Sequence, residues 1–111
     1  MIEDLRKYCL SKKAVSESFP FDEFTLVFKV HGKMFALFSL QKEPLQINVK
    51  CDPEKAIELR EEFYQVIPGY HSNKKHWNTI VLENLPITFI KDWIDQSYSL
   101  VWQKLPKKYK N

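Results

Sequence analysis

The apolar positions of this chain change their spacing several times along its length. Over Ile2 to Lys13, Ile2, Leu5 and Cys9 recur at helical intervals with charges between them, which predicts an opening amphipathic helix. Ala14 to Glu23, holding Ser16, Ser18 and Pro20, breaks that pattern and reads as a connector. Two β-rich runs follow, Thr25 to Val30 and Met34 to Leu40, joined across His31-Gly32-Lys33 in a turn of hairpin type. Leu45 to Lys50 alternates apolar and polar residues, so a third strand is predicted with one buried and one wet face.

Asp52-Pro53-Glu54 is a helix start: Asp52 is a capping type, Pro53 suits the first helical position, and Glu54 complements the dipole. Ala56, Leu59, Phe63 and Ile67 would form its buried stripe, and Pro68-Gly69 ends it. His76 to Leu82 reads as a further strand, with Val66 to His71 a short partner. A final helix is predicted from Thr88 to Leu105, its stripe being Ile90, Trp93, Ile94, Tyr98, Val101 and Leu105. Lys91 and Asp95 form an i,i+4 pair on it, in the less favourable order. Residues 106–111 read as a frayed basic tail. The order is α-β(3)-α-β(2)-α. Hairpin connections make this an α+β protein of two layers, an antiparallel sheet packed by helices, in a single domain spanning 1–111.

Composition narrows the function without choosing one. At 111 residues, 44% hydrophobic and 14% aromatic, the chain can fill one core. Only Gly32 and Gly69 are glycines, which excludes both glycine-rich phosphate loops. The formal net charge of +3 and a pI near 8.8 permit a polyanion partner without demanding one. Cys9 and Cys51 lie far apart with no CxxC, so neither a zinc site nor a disulfide framework is predicted, and free thiols fit a cytoplasmic protein. No apolar stretch is long enough for a membrane span, and no membrane partner is expected.

Four segments in order carry a family resemblance: Val27 to Ala36 around His31-Gly32-Lys33, Ile47 to Pro53, Pro68 to Thr79 with Pro68-Gly69-Tyr70-His71 and Lys75-His76-Trp77-Asn78-Thr79, and Trp93 to Val101. Together they resemble the MmcQ/YjbR family of small bacterial proteins over nearly the whole chain. The resemblance implies a fold described as CyaY-like or secretion-chaperone-like, a DNA-binding label resting on a double-wing surface, and no agreed catalytic residues. His31 departs from the family, whose members often carry a second glycine there.

Weighed on their own chemistry, Pro68 to Thr79 are the most informative residues, since Tyr70, His71, Asn73, Lys74, Lys75, His76 and Trp77 share a loop with no acid. Lysine, asparagine and histidine suit phosphate oxygens, and an aromatic can stack on a base. With the hairpin tip, this predicts phosphate contacts at Lys33, His71, Lys74, Lys75 and His76. Lys29, Lys50, Tyr70, Asn73 and Trp77 would support them. The structural reading is the stronger for these residues, with Tyr70 and Trp77 as core anchors and Lys74-Lys75 as a solvated turn. Cys51 just before a helix start is a thin nucleophile candidate, and Ser97 in mid-helix is expected to bond back to its own helix. No catalytic residue, metal or cofactor is predicted. The leading expectation is a non-enzymatic module binding DNA weakly. The alternatives are a protein-binding adaptor and a small-ligand protein using the His71–Trp77 loop and Lys50.

Overall fold

A computed structural model describes residues 1–69 and 73–110. Among these residues three α-helices occur: α1 Ile2–Leu10, α2 Pro53–Glu62 and α3 Ile87–Gln103. Six strands accompany them: β1 Val15–Ser18, β2 Thr25–Val30, β3 Lys33–Ser39, β4 Gln46–Lys50, β5 Val66–Pro68 and β6 Trp77–Val81. All neighbours pair antiparallel in one sheet of order β1-β2-β3-β4-β6-β5. The α+β architecture is as the periodicity predicts.

Alternation sorts the strand residues. Leu26, Phe38, Ile47, Ile80 and Val66 are successive cross-strand partners, and all are buried in the core. They pack under the α3 stripe of Ile90, Trp93, Ile94 and Val101, with Leu5 and Cys9 from α1 and Ala56 and Leu59 from α2 closing the flanks. Each deeply buried side chain of this kind contributes roughly 1.5–3 kcal/mol. The neighbouring row, Val27-Leu37-Asn48-Thr79, lies on the opposite face of the sheet.

Five expectations need correction. α2 ends at Glu62 with Phe63 as an extended C-cap, well short of Pro68-Gly69, and Ile67 belongs to β5, because the chain turns there to pair with β6. The connector contains β1, so the order is α-β(4)-α-β(2)-α. Val-Ser-Glu-Ser carries no apolar run because it is an edge strand, and its pairing with β2 comes from backbone hydrogen bonds. Asp52 occupies the N-cap of α2 but its carboxylate makes no capping bond; its carbonyl accepts from Ala56 N–H at 2.8 Å. Asp95 does not pair with Lys91. It accepts from Tyr8 Oη at 2.7 Å and is ion-paired with Lys12, tying α3 to α1 and the turn after it. The tail is docked, with a 3-10 turn at Lys107–Tyr109, and Tyr109 stacks on His31 at 4.6 Å.

Candidate functional site

The strand registers bring one end of the sheet together. Lys33 opens β3, Lys50 closes β4, and Trp77 opens β6 directly opposite Lys50. Direct pairing of β3 with β4 stops at Ala36 and Val49. Beyond that rung Ser97 intervenes from α3: its hydroxyl donates to the Phe35 carbonyl at 2.5 Å and accepts the Lys50 N–H at 2.8 Å. Ser97 therefore reaches across to the sheet and does not bond back to its own helix, contrary to the expectation for a mid-helix serine.

Where the strands part, a pocket of about 350 Å³ opens, lined by Lys33, Met34, Lys50, Trp77, Lys104 and the apolar pair Val101 and Leu105. Three cations thus surround an apolar floor, and the lining contains no acid. Burial lowers the pKa of Lys50, and the adjacent ammonium of Lys104 lowers it further. Lys104 comes from the C-terminal end of α3, and sequence reasoning did not select it. It follows Lys33 by 71 positions and Lys50 by 54, and only the packing of α3 across the sheet brings it in.

Beside this pocket the loop residues Asn73 to His76 form a tight backbone turn. Asn73 accepts from the N–H groups of His76 and Trp77 through its carbonyl, and from Lys75 N–H through its side chain. Arg60 of α2 clamps the turn, donating to the Lys74 carbonyl at 2.5 Å and to Asn78 Oδ1 at 2.7 Å. His76 accepts the Cys51 N–H at 2.7 Å, fixing the turn to the end of β4. Gly69 lies so close that a Cβ there would stand 3.1 Å from Trp77 Cβ, which explains glycine at this position. Lys74 and Lys75 are exposed, while His76 and Trp77 are half-buried. His71 and Tyr70 lie outside the described residues.

The hairpin tip has a different character from the wing expected of it. His31 and Gly32 both have positive φ, +46° and +79°, as a two-residue turn of mirror type requires. The His31 ring is occupied by Tyr109 and lies 5.9 Å from Trp102, leaving Lys33 as the exposed cation of the turn. Lys29, opposite Met34 and Ser16, is half-buried in the middle of its rung.

Nucleophile chemistry finds no support at the cysteines. Burial raises the Cys9 thiol to about 12, and burial followed by the Asp52 carboxylate raises Cys51, the reverse of activation by a helix start. Among the described residues no three His, Cys, Asp or Glu side chains are grouped to hold a metal ion. No helix among them is long and apolar enough to cross a membrane. Outside the basic end, a second concavity of about 460 Å³ lies between Phe21, Phe24, Leu37, Ser39 and Asn48, with Phe19, Phe21 and Phe24 exposed.

Comparison with known proteins agrees with this architecture. The chain is 34% identical over 107 residues to YbdF of Escherichia coli, covering 96% of this chain and 88% of that protein. It is 32% identical over 108 residues to YjbR of the same species, covering 96% and 92%. The crystal structure of a Deinococcus radiodurans protein with a DUF419 domain superposes with a TM-score of 0.93 at 38% identity, covering 99% of this chain and 85% of that one. A Pseudomonas syringae protein superposes with a TM-score of 0.75 at 26% identity, covering 88% and 96%. The family model described as YjbR matches residues 10–100, and the chain belongs to the YjbR family.

Proposed function

We propose that this protein is a non-enzymatic binding module that contacts DNA weakly, through phosphates, with the basic end of the sheet as its contact surface. One observation carries the reading: Lys33, Lys50 and Lys104 converge beside the rigid turn that presents Lys74 and Lys75, with no acid among the pocket residues. Lysines clustered on one rim supply sequence-independent attraction to a phosphate backbone. Clamping by Arg60 and Asn73 presents Lys74 and Lys75 without ordering a loop on contact. Sequence-specific readout is not part of the proposal, because the surface offers lysines and not the forked arginine or asparagine contacts that read base edges.

Titration of ¹⁵N-labelled protein with a short generic duplex at low and moderate salt tests this. Salt-sensitive shifts are expected at Lys33, Lys50 and Asn73 to Trp77. Two or three contacts give a log–log salt slope of about −2 to −3. Lys74→Gln and Lys75→Gln should each reduce that slope by about 1. Absence of shifts at low salt overturns the proposal. The exposed Phe19, Phe21 and Phe24 favour a second reading, a protein-binding adaptor, whose signature is association on sizing that is lost in Phe21→Ser.

A further inference from the structure

The pocket at the basic end offers more than phosphate contact, because a duplex backbone would engage its lysine rim and leave the apolar floor of Met34, Trp77, Val101 and Leu105 uncovered. We infer that the pocket between Lys33, Lys50 and Lys104 is a binding site for a small molecule with a flat apolar body and a carboxylate or phosphate head.

Three observations support it. The volume of about 350 Å³ is at the lower end of the range for small-ligand sites, enough for a molecule of one or two rings. The floor is apolar and includes Trp77, half-buried and directly opposite Lys50, so that an aromatic ligand would gain both area and a ring contact. The rim is electrostatically unbalanced: among the described residues the ammonium groups of Lys33, Lys50 and Lys104 make no ion pair. Two of these cations stand close together, because Lys104 faces Lys50 near enough to disfavour its charge. An anion between them removes that repulsion and accepts hydrogen bonds from both ammonium groups. The site is also preformed, since Ser97 fixes the Lys50 backbone and holds β3 and β4 apart.

The probe is 1-naphthyl phosphate, titrated into labelled full-length protein alongside 1-naphthol and inorganic phosphate. The Trp77 indole N–H, the Met34 methyl and the amides of Lys33, Lys50 and Lys104 should shift together and saturate. Naphthol and inorganic phosphate should each bind at least about tenfold more weakly, since each lacks one half of the match. Lys50→Met should weaken the naphthyl phosphate at least about tenfold. Lys104→Gln, at an exposed position, should weaken it by up to about fivefold and serves if the first variant fails to fold. 1-Naphthoate in place of the phosphate should shift the same set, which separates the carboxylate class from the phosphate class by their relative affinity. Equal binding of naphthol overturns the role of the lysines. Equal binding of inorganic phosphate overturns that of the apolar floor. Shifts that spare Trp77 and Met34 overturn the location. A duplex that moves no resonance, while naphthyl phosphate still saturates, removes only the DNA reading and leaves the pocket standing.

Discussion

Ser97 on α3 bonds across to Lys50 on β4, accepting its N–H at 2.8 Å while donating to Phe35 on the next strand at 2.5 Å. One hydroxyl from a helix thereby substitutes for the rung that two strands would otherwise make directly. It satisfies two backbone groups at the point where the sheet opens into the basic pocket. Ser97→Ala should leave both groups without a partner in a buried place and cost about 1–3 kcal/mol. Urea denaturation checks the stability, and faster exchange of the Lys50 amide checks the cause. An unchanged midpoint would show that β3 and β4 simply close up.

The two thiols should be inert in the folded protein. Burial holds the Cys9 thiol at about 12 and raises that of Cys51, so little thiolate exists near pH 8. An aromatic disulfide reagent should label neither cysteine in native protein and both in urea. Rapid native labelling of Cys51 would revive the activated-thiol idea that its place before α2 suggests.

Tyr8 offers a titration marker for the contact between α1 and α3. Its hydroxyl donates to both oxygens of Asp95, at 2.7 and 2.8 Å, and this hydrogen bond, followed by burial, raises the phenol from 10.0 to about 12. A raised folded value means the contribution to stability is complete below the ordinary tyrosine range and lost as pH climbs through about 12. Ultraviolet titration should show Tyr8 and Tyr98 ionising above the ordinary range, Tyr98 through burial, and Asp95→Asn should move Tyr8 alone back toward the rest. Two late tyrosines in Asp95→Asn, as in the parent, would assign the Tyr8 shift to burial alone.

His31 stands at positive φ and pays a conformational cost that a glycine would avoid. Its ring stacks on Tyr109 in return, so His31→Ala should lose about 0.5–1.5 kcal/mol. His31→Gly also loses the stack but relieves about 1 kcal/mol of backbone strain, and should be the more stable of the two. Chemical denaturation of the pair decides this. A glycine variant no better than alanine would mean that the turn carries no strain at His31.

The candidate site was only partly legible in the sequence. Lys33, Lys50, Lys74, Lys75 and Trp77 are visible there as a basic and aromatic set, and all stand at the same end of the sheet. Lys104 was visible only as one of the acid-free C-terminal lysines and read as solubilising, because at the end of a helix a lysine looks like a solvating charge. Ser97 was read against its own helix, because local bonding is the default for a hydroxyl there. Asp95 was matched to Lys91 by spacing, yet α1 supplied Tyr8 and Lys12 as partners.

The sequence by itself determined the elements that carry their own period: three helices, the β2–β3 hairpin, the alternating β4 and the β5–β6 pair. Periods of 3.6 and 2 are local properties, readable wherever one face of an element is buried. Tertiary structure decided what no local period encodes. It made a strand of the polar Val15–Ser18 because β2 offered an unpaired edge. It docked the tail because His31 offered a ring to stack on. It joined Lys33, Lys50 and Lys104 around one apolar floor, because strand register and the seating of α3 are set by the packing of the whole core.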